Sequence, residues 1–259
     1  AKYKTPAPAF GFVASPLIDG EHVYVQAAAA VVKLNKRTGD VVWRSFADEG
    51  GMNGSAFSSP VIATIGGVRQ LVVQAREKLA GLSLTDGQVL WEQKVPAFRG
   101  MNIITPTIVG DLAFTSAYGG KTIGYRITNE AAENESPKFT VAEARSESAQ
   151  GYMSSPLVID GHAYVHLRNQ RFACFDLKTG ERKWTTSPFG KYWNLVNRGD
   201  KILALDEKGE LLLIQADPQE FKLVSRRKIS DDSTWAHLAI ADGQIFIREL
   251  NALAVYEWK

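Results

Sequence analysis

The stretch that decides the fold is SPLVIDGHAYV at residues 155–165, because it returns in the same chain as SPLIDGEHVYV at residues 15–25. Weaker copies begin at residues 59 and 105, and two more, at residues 195–201 and 239–245, have lost the proline. The turn glycines of these copies follow one another at intervals of 47, 43, 51, 38 and 44 residues, at Gly20, Gly67, Gly110, Gly161, Gly199 and Gly243. The chain is therefore built from about six degenerate repeats.

Each repeat has the pattern of paired β-strands. Residues 156–167 combine an apolar run, a glycine turn and an alternating run, which is typical of a hairpin. A second hairpin follows at residues 172–184, with its turn at residues 178–180, and similar turns precede tryptophans at residues 38–43 and 86–91. Repeats of four strands every 40–50 residues or so predict an all-β chain, a β-propeller of four-stranded antiparallel blades. We expect one domain over residues 1–259.

Composition and charge argue against some classes of function. The net charge is only +2, with 30 basic and 28 acidic residues scattered along the chain, so we expect no nucleic-acid partner. The longest apolar runs, such as residues 27–32, are too short for a transmembrane segment. Cys174 is the single cysteine, which excludes an intrachain disulfide.

The second hairpins share a more specific pattern, A-x-D-x-x-T-G-x-x-x-W. It resembles the tryptophan-docking motif of PQQ-like (quinoprotein-type) propeller repeats. Residues 174–184 match it almost fully, with Cys174 at the small first position. The first repeat departs from the motif at Lys33 and matches it at four positions: Asn35, Thr38, Gly39 and Trp43. The second repeat departs at Ser83 and Asp86 and matches at three positions: Gly81, Gly87 and Trp91. The third and fifth repeats have lost the tryptophan, and hold Val141 and Val224.

The motif predicts a structural role for its tryptophans. Each ring can bury a large face against a neighbouring blade if its N–H finds an acceptor. The resemblance implies that the enzymes of the family hold PQQ with a vicinal disulfide and a calcium ion. The single Cys174 cannot form that disulfide, and no dense Asp, Asn and Glu cluster suggests a calcium cage. We therefore expect no cofactor and no metal, and place the chain in a non-enzymatic branch.

Loop length separates the two ends of each predicted blade. With strands A to D in order, the tight A–B and C–D turns share one end, and the longer D–A and B–C connections share the other. Binding residues are concentrated on such loops. We expect the site at the mouth of the central channel on the long-loop side, with these candidate ligand-binding residues: Arg76, Arg99, Asn102, Tyr118, Tyr152, Arg168, Trp193, Trp235 and His237.

Alternatives remain at several of these positions. Trp193 and Trp235 could equally pack in the core, and Arg76 and Arg168 could pair with nearby carboxylates. His237 is preferred because His22 and His162 follow the tight turns at the opposite end.

The functional hypothesis is a non-catalytic binding or scaffold module for a small polar ligand or a protein partner, with no catalytic residues. The resemblance includes an outer-membrane assembly lipoprotein that is a protein–protein scaffold, and so implies an exported protein, periplasmic or extracellular. Residues 1–4 show no signal peptide. The alternative is an enzyme acting on an alcohol, a sugar or another small polar substrate.

Closure of the propeller is a further expectation. The last repeat ends at a strand that aligns with strand C, so its outer strand is missing. We expect one or two blades before Ala1, as part of a seven- or eight-bladed ring. The alternative is six blades closed by residues 3–10, which carry Pro6 and Pro8 and suit an edge strand poorly.

Overall fold

The computed structural model describes residues 10–27, 29–47 and 57–257, and these are almost entirely β-structure. Their strands form six antiparallel sheets in chain order, five of four strands and one of three. The chain divides into two compact units, residues 1–150 and 151–259, each with three of the sheets. The fold class is therefore that of a β-propeller, as the repeats predict. We call the sheets blades I to VI.

The first unit contains blades I, II and III. Blade I has the strands β1 (Leu17–Asp19), β2 (His22–Ala27), β3 (Ala30–Asn35) and β4 (Val41–Ser45). Blade II has β5 (Val61–Ile65), β6 (Val68–Gln74), β7 (Lys78–Ser83) and β8 (Val89–Lys94). A short 3-10 helix (Phe98–Gly100) leads into blade III, which has β9 (Thr107–Val109), β10 (Leu112–Ser116), β11 (Thr122–Asn129) and β12 (Phe139–Glu147).

The second unit contains blades IV, V and VI. Blade IV has β13 (Leu157–Ile159), β14 (His162–His166), β15 (Arg171–Asp176) and β16 (Arg182–Pro188). Blade V has β17 (Trp193–Arg198), β18 (Lys201–Asp206), β19 (Glu210–Gln215) and β20 (Lys222–Lys228). Blade VI has three strands in the described part of the chain, β21 (Ala239–Ala241), β22 (Gln244–Arg248) and β23 (Leu253–Glu257).

The first hairpin of each blade owes its geometry to the turn glycine. In blade IV, Asp160 and Gly161 have φ values of 47° and 74°, and in blade VI, Asp242 and Gly243 have φ values of 48° and 75°. Two successive positive φ angles are the signature of a type I′ turn, whose twist matches that of the flanking strands. Glycine takes the second position without steric cost. The Asp-Gly pairs of blades IV and VI therefore form type I′ hairpin turns.

The motif tryptophans lie on the outer strands and pack where two blades meet. Trp43 Nε1 donates a hydrogen bond to the carbonyl oxygen of Leu84 in blade II at 3.3 Å, and Trp184 Nε1 donates to Asp217 O in blade V at 2.9 Å. Trp91 instead donates to Gln70 Oε1 of its own blade at 2.5 Å. Each of these buried or half-buried rings thus keeps a partner for its polar atom, and the predicted structural role of the motif is confirmed.

The hydrophobic core lies between successive blades of each unit. Side chains alternate along a strand, so the middle strands send one set of apolar residues to each neighbouring blade. Blade II, for example, contributes Leu71 and Val73 to the cluster with blade I, and Val72 and Leu79 to the cluster with blade III. Blades IV and V, and blades V and VI, share similar clusters.

Two expectations are not decided by this structure. The alternative closing strand at residues 3–10 falls almost entirely outside the described residues. The assignment of residues 1–259 to a single domain also stays a prediction.

Candidate partner-binding site

The D–A and B–C connections lie at the same end of each sheet, which we call the long-loop end. In blade V the first residue of strand A, Trp193, pairs with the last residue of strand B, Asp206. In blade IV a bridge joins Gly151, before strand A, to Leu167, after strand B. Since the strands are antiparallel, both kinds of loop must emerge side by side.

Four of the predicted site residues meet at the long-loop end of the first unit. Asn102 is fully buried, and its Nδ2 donates to Arg76 O at 3.1 Å and to Val95 O at 2.8 Å. The guanidinium carbon of Arg99 lies 5.1 Å from the ring centroid of Phe98. That ring lies 6.3 Å from the ring of Tyr118. The loop is compact, and Asn102 acts as its internal brace.

In the second unit, Trp193 belongs to a buried polar network centred on Asp206. Trp193 is 1% exposed, and its Nε1 donates to Asp206 Oδ2 at 2.8 Å. The same carboxylate accepts the backbone N–H of Gly190 at 2.6 Å and that of Lys208 at 2.8 Å. A buried carboxylate with three donors is well compensated for its lost hydration. The network ties the D–A loop of blade V to its B–C loop.

His166 stacks on the Trp193 ring, with centroids 5.1 Å apart and ring planes within 9°. The side chain is fully buried, and neither ring nitrogen makes a well-formed hydrogen bond in the described structure. Burial lowers the pKa of His166 to about 4, an effect that the Gly190 backbone and the Asp206 carboxylate only partly offset. His166 is therefore neutral at physiological pH.

An aromatic row crosses the long-loop end of the second unit; we define it as Tyr152, Tyr192 and Trp235. Each of these residues precedes strand A of its own blade, IV, V or VI. Tyr152 and Tyr192 are stacked, with centroids 5.9 Å apart and planes at 21°, and Tyr192 lies 5.6 Å from Trp235 at 55°. Tyr152 is buried, Tyr192 is half-buried and Trp235 is 58% exposed. The row thus becomes more accessible towards blade VI.

A cleft of about 220 Å³ adjoins the exposed end of the row; we call it the Trp235 cleft. Its residues come from the D–A loop before blade VI and from the B–C loop of that blade: Ser233, Trp235, Ala236, Arg248, Glu249 and Leu250. Arg248 Nε donates to the carbonyl oxygen of Glu249 at 2.9 Å, and Leu250 is largely exposed. The cleft combines apolar walls with a guanidinium and a carboxylate.

The remaining predicted residues flank these features. Arg168 is exposed in the B–C loop of blade IV, and His237 is exposed two residues after Trp235. The ligand-binding roles of all nine residues stay predictions, but Asn102 and Trp193 are already engaged in internal structure.

Sequence reasoning overlooked Tyr192 and the three cleft residues from Arg248 to Leu250. The three cleft residues could have been found from the position of Arg248. It is the last residue of strand B in its repeat, and the candidates Arg76 and Arg168 lie two residues after strand B in theirs. The signal for Tyr192 was its place directly before Trp193, a candidate ligand-binding residue.

In the part of the chain that the structure describes, no three His, Cys, Asp or Glu residues are grouped so as to hold a metal ion. No helix among the described residues has the length and apolar character needed to cross a membrane.

Repeated four-stranded blades, docked on one another through outer-strand tryptophans, define the chain as a β-propeller of the PQQ-like repeat class. Residues 4–186 match a family model described as "Outer membrane protein assembly factor BamB". That match extends over well more than half of the chain, which therefore belongs to this family.

Similar proteins agree with this assignment. The outer membrane protein assembly factor BamB of Yersinia pestis is 26% identical over 215 residues, which are 75% of this chain and 50% of that protein. The chain thus spans about half the length of this curated relative. The crystal structure of BamB from Moraxella catarrhalis matches with a TM-score of 0.67 and 17% identity over 95% of this chain and 69% of that one. The Cps50 (Swd1) β-propeller domain of Myceliophteria thermophila matches with a TM-score of 0.63 and 12% identity, over 95% and 85% of the two chains. The two structural matches speak to the fold alone.

Proposed function

We propose that the chain is a non-catalytic scaffold of the bacterial envelope that contributes to outer-membrane protein assembly by binding a protein partner. Its family and its Yersinia relative carry the name of an assembly factor for outer membrane proteins. Such a role places the protein in the periplasm, in agreement with the exported location expected from the sequence. The partner would dock at the long-loop end of the second unit.

The observation that carries the docking site is the exposure of Trp235 beside Leu250, at 58% and 55%. Isolated exposed apolar residues are common, but two large ones that share a cleft with an arginine are typical of a binding patch. Tryptophan and arginine are the residues most enriched among those that dominate protein–protein affinity. The loop that carries Trp235 is held in place before binding, because Thr234 Oγ1 donates to Asp206 O at 2.6 Å and Asn194 Nδ2 donates to Ala236 O at 2.9 Å.

The proposal includes the absence of PQQ. Cys174, the single cysteine, is fully buried in the cluster between blades IV and V. Burial raises the pKa of its thiol to about 12, so it is an inert core residue rather than part of a redox site. This supports a scaffold over the alternative of a quinoprotein-like enzyme.

The test is site-specific photo-crosslinking in the native bacterium. A photoreactive phenylalanine analogue is placed at position 235 and, as a matched control, at position 224 on the outer strand of blade V. Val224 is 50% exposed, close to the exposure of Trp235, but lies away from the long-loop end. We expect an adduct at position 235, identified by mass spectrometry as a component of the outer-membrane assembly machinery.

The control determines how the result is read. An adduct of the same composition at both positions would mean unspecific proximity, and the absence of an adduct with any assembly component at position 235 would contradict the proposed site. Growth of both variants with unchanged protein levels shows that they fold.

A further inference from the structure

We infer that the aromatic row and the Trp235 cleft together bind an extended segment of the partner, one that carries alternate aromatic or aliphatic side chains next to aspartate or glutamate. This inference rests on the proposed function, since it names the kind of partner segment that the docking site would take. Three features of the second unit support it: the spacing of the rings, the size of the cleft and the distribution of charge.

The spacing of the rings matches an extended chain. In a β-strand, side chains on the same face recur every two residues, at about 6.6 Å. The exposed ring of Trp235 and the half-buried ring of Tyr192 lie 5.6 Å apart. Two alternate side chains of an extended segment can therefore contact the two rings together. Tyr152, stacked behind Tyr192 at 5.9 Å, fixes the orientation of that ring.

The size of the cleft favours a side chain over a free small molecule. Pockets for drug-sized ligands measure about 300–1,000 Å³ and bury most of the ligand. The Trp235 cleft has only about 220 Å³. Its apolar surface comes from the Trp235 ring, Ala236 and Leu250. A single aromatic or aliphatic side chain fits this description better than a complete cofactor or sugar.

The charges favour an acidic segment. Arg248 uses Nε for the Glu249 carbonyl oxygen, and its two terminal nitrogens have no carboxylate partner among the described residues. Lys191 holds its ammonium 5.2 Å from the centroid of the Tyr192 ring. A hydrogen bond to Tyr192 raises the pKa of Lys191, which keeps it cationic. The Glu207 carboxylate also acts electrostatically on Lys191, so the cation without a carboxylate partner among the described residues is Arg248, in the cleft beside Trp235. A guanidinium can take a carboxylate with two parallel hydrogen bonds.

Glu249 opposes this preference and offers a test of it. Its carboxylate lies in the wall of the cleft and has no partner among the described residues. An acidic segment in the cleft would be repelled by this charge. Glu249→Gln should therefore strengthen binding of an acidic segment, whereas Arg248→Gln should weaken it.

The experiment measures binding of short fluorescein-labelled, C-terminally amidated peptides by fluorescence anisotropy. The first has the sequence GSDFSFDGS, with alternate aromatics flanked by aspartates. The second, GSKFSFKGS, reverses the charges, and the third, GSDSSSDGS, removes the aromatics. We expect the first to bind at least about tenfold more tightly than either of the others, as losing a charge-assisted pair or a buried aromatic contact predicts.

Variants of the full chain locate the binding site. Trp235→Ala and Arg248→Gln should each weaken the first peptide by about fivefold or more, and Glu249→Gln should tighten it by about twofold. The control Val224→Ala should bind like the unaltered chain. We expect the melting temperatures of these variants to stay within a few degrees of that of the unaltered protein, because the three cleft side chains lie at the surface. Such values would exclude unfolding as the cause of weaker binding.

Each outcome has a defined meaning. If the three peptides bind alike, or if Arg248→Gln has no effect on the first, the inference is wrong. An adduct with an assembly component at position 235 together with failure of the peptides would leave the proposed function standing and refute only the acidic aromatic segment. Loss of that adduct would refute the proposed function itself.

Discussion

Acid should destabilise the second unit through His166. The folded-state pKa of this side chain is about 4, below its ordinary value of 6.5. The unfolded chain therefore binds a proton at a higher pH than the folded chain does. The contribution of His166 to the free energy of unfolding is complete above about pH 6.5. It falls by about 1.4 kcal/mol per pH unit as the pH drops from there towards 4, and then levels off. Over the whole window the loss amounts to roughly 3 kcal/mol.

The assay is urea unfolding followed by tryptophan fluorescence, since Trp193 lies against the His166 ring. Free energies of unfolding are measured at several pH values from 7 to 4, for the unaltered chain and for His166→Phe. Phenylalanine keeps an aromatic ring on Trp193 but cannot titrate. The difference between the two chains isolates this histidine, because both share the other three histidines.

We expect the variant to lose about 3 kcal/mol less than the unaltered chain between pH 7 and pH 4. The two chains are compared by their change with pH, because the phenyl ring is larger than the imidazole and also removes two buried nitrogen atoms without partners, which shifts the starting value at pH 7. Equal losses in both chains over this range would refute the reasoning, because His166 would then not be protonated on unfolding.

Four further substitutions test the fold. Gly209→Ala should lower the free energy of unfolding by more than about 2 kcal/mol, because φ is 73° and the new methyl group would collide with the carbonyl oxygen of Ser230. Gly243→Ala, at φ 75° with open space around it, should lower it by only about 1 kcal/mol. Equal costs in urea unfolding would refute the predicted collision. Trp184→Ala should cost about 3 kcal/mol, since it removes a ring packed against three other aromatic rings; an unchanged melting temperature would contradict this. Asp206→Ala should cost about 3 kcal/mol by leaving three donors without their acceptor, and faster hydrogen exchange at Gly190 than in the unaltered chain should accompany it; unaltered exchange would count against the network.

The blades could be predicted from the sequence because their determinants are local. Asp-Gly pairs specify the type I′ turns of blades IV and VI. A glycine turn followed by tryptophan marks the outer hairpin. Blades III and V lack that tryptophan, with Val141 and Val224 at the aligned positions, and were still recognised by their first hairpins. A repeat that carries several independent sequence signals can still be identified when one of them is lost.

The candidate site was less predictable because it depends on side-chain direction and on packing between blades. Tyr192 and Trp193 are adjacent, and a shift of one residue in a strand exchanges the two faces. Trp193 is 1% exposed and Trp235 is 58% exposed, although sequence reasoning weighed both alike. The aromatic row joins residues 40 or more positions apart, from three blades, so no local pattern could show it.

The most direct test of the docking site is hydrogen–deuterium exchange of the purified chain, alone and bound to the envelope partner found by crosslinking. We expect the partner to slow exchange at residues 233–237 and 248–250, which form or adjoin the Trp235 cleft, and to leave the outer strand at residues 222–228 unchanged. Protection confined to the outer strand or to the first unit, with the cleft exchanging as in the free chain, would contradict the account.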